Sequence, residues 1–216
     1  MLKNRFILAW CLGLGLVVGG CDSVKNQVAQ DLDRPTKPTT EAVALDVYLD
    51  LSGSTNSLRP EIGQLVKQAI VTYPDTMRMT YSTYGKEVRE LGQSLNAGPY
   101  VDEMNSNWEE LPKLEPRGTH LAVAIDHAAM TARRDTSISR AVVIASDGGF
   151  EDQKQEVTEA LENLAQATNV QLLVFVGVQP GNSDKLNRLT ELADFAKNLR
   201  TEAPLKVIVV TLTQND

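Results

Sequence analysis

Residues 43–55, VALDVYLDLSGST, begin as an apolar run and end in a cluster of polar side chains. The first part, VALDVYLDL, is predicted to be a buried strand. Asp50, Ser52 and Ser54 then follow at alternate positions, and Gly53 permits a turn between the two serines. The spacing lets three oxygen-bearing side chains converge where the strand bends into its loop. A plain strand-end cap and turn is the alternative, since Asp and Ser are also favoured there.

Strands and helices alternate through the rest of the chain. The predicted strands are 43–51, 77–85, 87–93, 140–148, 170–178 and 205–212, and the predicted helices are 57–73, 120–134, 151–168 and 183–199, with a short helix near 100–109. Unbroken apolar runs at 140–148 and 170–178 are typical of strands covered on both faces. The tight connection between 77–85 and 87–93 predicts a hairpin, so one strand runs antiparallel. The pattern predicts an α/β fold with a mostly parallel central sheet, one antiparallel strand and helices on both faces.

Two further oxygen-bearing residues fall at predicted strand or loop ends. Thr119 lies in PRGTHL, before a helix, and Asp147 lies in VVIASDGG, after a buried strand. In sheets of this kind, ligands bind outside the carboxyl ends of the strands, where the strand order reverses. Two carboxylates and several hydroxyls suit Mg²⁺, Mn²⁺ or Ca²⁺ rather than Zn²⁺, and Mg²⁺ is the first expectation. Asp147 and the glycine after it could also form a plain turn.

The order D-x-S-x-S, then a distant Thr, then a distant Asp resembles the metal-ion-dependent adhesion site of von Willebrand factor type A (vWA) domains. The resemblance spans residues 43–213 and implies a three-layer, Rossmann-like vWA fold. It implies that Ser52 and Ser54 ligate a divalent metal directly and that Thr119 does so directly or through water. Asp50 and Asp147 would bind the metal mostly through water or hold the serines in place. In this family a Glu or Asp of a partner protein completes the metal's coordination, which implies metal-dependent protein–protein interaction.

Two other functions are compatible with such a sheet. One is a structural vWA scaffold that binds partners without metal. The other is a Mg²⁺-dependent, phosphatase-like hydrolase of the haloacid dehalogenase type, but that chemistry needs a second Asp where this chain has Ser52. The sequence also lacks a Gly-x-Ser-x-Gly elbow, a phosphate-binding Gly-x-x-x-x-Gly-Lys loop and a dinucleotide fingerprint. We therefore expect a binding protein rather than an enzyme.

Other polar and aromatic residues are more simply explained by packing or solvation. His120 and His127 lie seven positions apart on one predicted helix, without a Cys or carboxylate at ligand spacing. Trp108 could contact a partner, as exposed Trp often does, but packing in the core or at the rim is the commoner role. The acidic pair Glu151 and Asp152 is predicted to be a solvated face.

The N-terminus has the three-part pattern of an export signal: a basic start, an apolar run and small residues. The apolar run is short for a membrane span. The sequence VGGC, which ends at Cys21, resembles a bacterial lipobox, and this implies cleavage before Cys21 and its diacylation. The alternative is an ordinary signal peptide with a chance cysteine. The expected organisation is a signal peptide at 1–20, a lipidated Cys and flexible tether at 21–42, and a vWA domain at 43–213.

Charge and sorting signals suggest where the mature chain acts. The formal net charge of −7 disfavours nucleic acid as a partner, because phosphate binding requires clustered Lys and Arg. The acyl anchor, rather than surface charge, would hold such an acidic protein on a membrane. Asp22 directly after Cys21 resembles an enterobacterial signal for retention. It favours the periplasmic face of the inner membrane, with the outer membrane left open.

Overall fold

The computed structural model describes residues 43–52, 55, 77–94, 118–179, 183–201 and 203–213. The elements, in chain order, are β1 (Val43–Asp50), β2 (Met77–Tyr84), β3 (Val88–Ser94), α1 (Leu121–Arg134), β4 (Ser139–Ser146), α2 (Lys154–Ala165), β5 (Val170–Gln179), α3 (Ser183–Lys197) and β6 (Lys206–Thr213). These match the predicted elements, with ends that differ by no more than three residues. The helices predicted at 57–73 and near 100–109, the signal and tether at 1–42, and Ser54 lie outside the described residues.

The six strands form one sheet in the order β3-β2-β1-β4-β5-β6. All neighbouring pairs are parallel except β2 and β3, which are antiparallel. The hairpin between them turns at Gly85, whose N–H donates to the carbonyl of Glu87 at 3.1 Å. The predicted mostly parallel sheet with one antiparallel strand is confirmed.

The strand order reverses at β1. The chain moves from β1 to β2 and β3 on one side, then returns to β4 on the other side and continues to β5 and β6. Because β1 and β4 are parallel neighbours, with Leu49 opposite Ala145, their carboxyl ends meet at the same edge. This edge is the crevice where a sheet of this kind binds ligands.

Both faces of the sheet are buried, which explains the unbroken apolar strands. Leu45, Val47 and Leu49 point to one face and are almost completely excluded from solvent. The other face packs against α1, α2 and α3 through a large apolar cluster that includes Tyr48, Ile144, Leu161, Phe175 and Leu189. The helix α1 contributes mainly alanines to this cluster, and these small side chains allow close packing.

A pair of charges lies inside the core. Asp46 of β1 and Arg140 of β4 are 1% and 5% exposed, and Arg140 Nη1 donates to the two carboxylate oxygens at 2.8 and 3.2 Å. Burial raises the pKa of Asp46, although the guanidinium of Arg140 opposes that shift. The sequence predicts that position 46 lies within a strand but does not identify Arg140 as its partner.

Candidate metal centre

Asp50 is the central residue of the site. It ends β1 and has 0% exposure. Its Oδ1 accepts hydrogen bonds from the Ser52 backbone N–H at 2.7 Å and from Thr119 Oγ1 at 3.1 Å, and its Oδ2 accepts one from Ser52 Oγ at 3.1 Å. The structure thus brings together three of the five residues that the sequence singled out. Ser54, the fourth, lies outside the described residues.

The bend after β1 is fixed by a residue that sequence reasoning did not identify. Thr55 is buried, and its Oγ1 donates to the carbonyl of Asp50 at 2.6 Å and to that of Ser52 at 2.8 Å. Its backbone N–H also donates to the Ser52 carbonyl at 3.2 Å. A Thr three positions after a Ser at a strand end is a usable signal for such a turn.

Thr119 reaches Asp50 because its loop is attached on two sides. The N–H of His120 donates to the Gly85 carbonyl in the β2–β3 turn at 3.1 Å, and the Thr119 carbonyl accepts from the N–H of Glu151 at 2.8 Å. Gly118 has a positive φ of 78°, a conformation that favours glycine. These contacts hold the hydroxyl of Thr119 over the carboxyl end of β1.

Asp152 caps the helix that follows Thr119, and the predicted solvated face at Glu151 and Asp152 is therefore wrong for Asp152. This residue is buried, and its Oδ2 accepts from the N–H of Leu121 in the first turn of α1 at 2.5 Å. A carboxylate at this position satisfies a free N–H and complements the helix dipole. The Nδ1 of His120 lies 3.4 Å from Asp152 Oδ1, so His120 lies beside this cap.

Asp147 directly follows β4 and is also buried. Its Oδ1 accepts from the N–H of Gly149 at 2.7 Å, and its Oδ2 forms an ion pair with Nζ of Lys185 at 2.6 Å. Lys185 comes from the first turn of α3, and nothing in the motif pointed to it. A lysine near the start of a surface helix carries no sequence signal for a partner that lies 38 residues away.

Burial of negative charge sets the electrostatics of the site. Desolvation raises the pKa of Asp50 to about 6, and the nearby charge of Asp147 adds to the rise. Hydrogen bonds from Ser52 and Thr119 oppose it. Burial, together with the charge of Asp50, raises the pKa of the neighbouring Tyr84 well above its ordinary value, and its hydroxyl donates to the Ala145 carbonyl at 3.0 Å. Two poorly solvated carboxylates make this edge favourable for a cation.

The donor atoms fit a hard divalent metal. They are carboxylate and hydroxyl oxygens from Asp50, Ser52, Thr119 and Asp147, which is the chemistry that Mg²⁺ prefers. Within the described ranges, no group of three or more His, Cys, Asp and Glu side chains could hold a metal ion. A metal at this edge would therefore depend on the hydroxyls as well as the two aspartates.

Comparisons with known proteins identify the fold but not a close relative. No family model matches the sequence, and no curated protein matches it. Among solved structures, the chain is similar to an aerotolerance-related membrane protein from Bacteroides fragilis, with a TM-score of 0.57 and 14% identity over 79% of this chain and 92% of that one. The VWA domain of SpRpn10 gives a TM-score of 0.54 and 12% identity over 81% and 89%. The ArnB paralog VWA2 from Sulfolobus acidocaldarius gives a TM-score of 0.51 and 16% identity over 81% of this chain and 42% of that one.

The chain therefore has the fold of a vWA domain, as the motif order implied. At these identities the similarity concerns the fold alone. Of the helices that the structure describes, none is long and apolar enough to cross a membrane.

Proposed function

We propose that this protein is a membrane-anchored bacterial lipoprotein whose vWA domain binds a divalent cation, Mg²⁺ in the first place, and through it a carboxylate of a partner protein. The observation that carries the proposal is the completely buried carboxylate of Asp50. It gathers the hydroxyls of Ser52 and Thr119 at the edge where the strand order reverses, beside Asp147.

The metal would be held by Asp50, Ser52, Thr119 and Asp147, with Ser54 as the fifth residue of the motif. When bound, it would supply a positive centre to which a Glu or Asp side chain of the partner can coordinate. Asp50 orients Ser52 and Thr119, because its two carboxylate oxygens accept hydrogen bonds from these residues. The surrounding loops would determine which partners fit.

Binding is better supported than hydrolysis. A phosphatase of the haloacid dehalogenase type needs an acid two residues after its nucleophilic aspartate. Here that position is Ser52, which donates both its N–H and its hydroxyl to Asp50. We therefore propose a protein without catalytic activity, and a metal-independent vWA scaffold as the main alternative.

The lipid anchor belongs to the same proposal. Cys21 would carry the acyl chains and residues 22–42 would act as the tether. The edge of the sheet that carries the metal site could then reach partners at some distance from the membrane. Asp22 favours the periplasmic face of the inner membrane, and an outer-membrane location remains the alternative.

Calorimetric titration tests the metal site. MgCl₂, MnCl₂ and CaCl₂ are titrated separately into the metal-free, full-length protein in detergent, beside Asp50→Asn and Thr119→Val. We expect saturable binding of Mg²⁺ that is weakened by about 10- to 100-fold in both variants. The matched controls are Asp194→Asn, at an exposed residue of α3, and Thr158→Val, at a half-buried residue of α2. Both residues lie outside the motif, and both variants should leave the affinity unchanged.

Partner capture separates metal-dependent binding from a scaffold. The wild type and Asp50→Asn are incubated with an envelope extract in MgCl₂ or in EDTA, and bound proteins are identified by mass spectrometry. We expect specific partners that disappear both in EDTA and with Asp50→Asn. Partners that persist in EDTA would support the metal-independent scaffold instead.

A further inference from the structure

We infer that the ammonium group of Lys185 supplies the positive charge of this site in the absence of metal, and that it competes with the divalent metal for Asp147. The inference rests on the proposed function, because it concerns the same site. It assigns a specific role to a residue outside the motif.

The ion pair joins the buried carboxylate of Asp147 to the flexible side chain of Lys185. Nζ of Lys185 lies 2.6 Å from Oδ2 of Asp147, and the lysine side chain is 38% exposed while that of Asp147 is 6% exposed. Asp147 is held by the N–H of Gly149 and cannot leave the edge of the sheet without breaking that bond. Lys185 has a flexible stem and a route to solvent, so it is the partner that can move away.

The loop after β4 leaves room for this lysine. Gly148 has a φ of 79°, and a Cβ at that position would collide with the backbone of Lys185. A Cβ at Gly149 would come within 2.8 Å of Nζ of Lys185. Two consecutive glycines therefore allow the start of α3 to lie directly against the loop that carries Asp147.

A second contact keeps α3 in place independently of Lys185. Arg188, one turn further along, stacks over the ring of Phe150 with its guanidinium carbon 3.9 Å from the ring centre. Its Nη1 also lies 3.4 Å from the carbonyls of Gly148 and Phe150. The ammonium of Lys185 can thus leave Asp147 while the helix stays docked on the loop.

Charge then makes the two cations mutually exclusive. Asp50 and Asp147 together carry two negative charges when ionised, and Lys185 neutralises one of them in the absence of metal. A divalent cation bound to the same carboxylates would repel an ammonium group at hydrogen-bond distance, so the lysine has to withdraw. The metal-free site is consequently stable, and metal binds more weakly than it would to two unpaired aspartates.

Calorimetry on Lys185→Met tests this competition. MgCl₂ is titrated into the full-length protein in detergent as wild type, Lys185→Met and Lys197→Met, the last being an exposed lysine of the same helix. We expect Lys185→Met to bind Mg²⁺ roughly tenfold more tightly than the wild type, since a charge-assisted hydrogen bond no longer has to be broken. Lys197→Met should match the wild type. In EDTA, Lys185→Met should melt at a lower temperature, and MgCl₂ should raise its Tm more than that of the wild type.

The outcomes distinguish the two proposals. If the wild type binds Mg²⁺ and folded Lys185→Met binds it equally or more weakly, the competition is refuted and the metal site stands. If neither protein binds Mg²⁺, both proposals are refuted. If only Lys185→Met binds, the lysine blocks the site completely, which supports the inference. Should Lys185→Met fail to fold, Lys185→Gln, which keeps a hydrogen-bond donor without the charge, is judged by the same criteria.

Discussion

Asp46 and Arg140 show how much a single buried pair depends on both members. Arg140 donates to both oxygens of Asp46 in the core, yet among the residues that the structure describes its own Nε is buried without a hydrogen-bond partner. Removing two charges from water is expensive, and their attraction offsets that cost only while both are present. The pair is therefore a point of vulnerability rather than a large source of stability.

The first prediction concerns this pair. Arg140→Leu should lower the free energy of unfolding by about 3–5 kcal/mol, because Asp46 is left charged or forced to protonate in the core. The double variant Asp46→Val with Arg140→Leu should recover most of the loss, since it removes both charges. Urea denaturation followed by circular dichroism measures all three proteins. Arg134→Leu, an exposed residue of α1, is the control, and a double variant as unstable as the single one would contradict the prediction.

Single-residue patterns explain which parts of the site were predictable. Asp50 ends β1 and Ser52 follows two positions later in the bend, so the period of two that holds along a strand predicts that their side chains lie close together. Thr119 and Asp147 sit beside recognisable elements of the alternating pattern. Lys185 and Asp152 could not be found in this way, because their partners are brought to them only by the packing of α3 and α1. A charged residue on or beside a helix is predicted to be solvated unless its tertiary contact is known.

At the scale of elements, α2 shows why helix ends are harder to predict than helix centres. The spacing of the apolar residues predicts a helix over 151–168, whereas α2 spans Lys154–Ala165. Its start is delayed because Asp152 caps α1 and because Gln153 and Glu156 form a capping box. Its end comes early because the guanidinium of Arg200 donates hydrogen bonds to the last carbonyls of the helix, those of Leu164 and Ala165. None of these three causes is part of the apolar period.

Arg200 carries the second prediction. Its guanidinium donates to the carbonyls of Ala165 and Ala167 at 2.5 Å each, to that of Val170 at 2.7 Å and to that of Leu164 at 3.4 Å. Arg200→Met keeps the apolar stem but removes these donors, so we expect a loss of about 2–3 kcal/mol in the free energy of unfolding. Hydrogen exchange should rise selectively at the end of α2 and the start of β5.

Two comparisons control for the Arg200 result. Lys197→Met changes an exposed charge nearby and should have little effect on stability. Arg200→Lys keeps the charge but cannot reach several carbonyls at once, so it should fall between the wild type and Arg200→Met. A lysine variant as stable as the wild type would show that charge alone, rather than the planar set of donors, stabilises this helix end.

At the scale of the whole molecule, topology creates the site. Asp50, Thr119 and Asp147 are far apart in the sequence, and the reversal of strand order between β1 and β4 brings their loops to one edge. The alternation of strands and helices was sufficient to predict that edge. The order of the strands within the sheet was not readable from the periodicity, because it depends on long-range pairing.

The last prediction concerns attachment of the whole protein to a membrane. If VGGC is a lipobox, Cys21 is the only site of acylation, because Cys11, the other cysteine, lies within the expected signal. Cells expressing the full-length protein are labelled with an alkyne analogue of palmitate, and the purified protein is assayed for the label. We expect labelling of the wild type and of the matched control Cys11→Ser, and none of Cys21→Ser.

The label itself is the decisive readout, since an uncleaved signal could retain Cys21→Ser in membranes without any acyl chain. Label on Cys21→Ser, or on none of the three proteins, would contradict the lipoprotein proposal, and the vWA fold and the metal site would then have to be interpreted for a protein exported without an anchor.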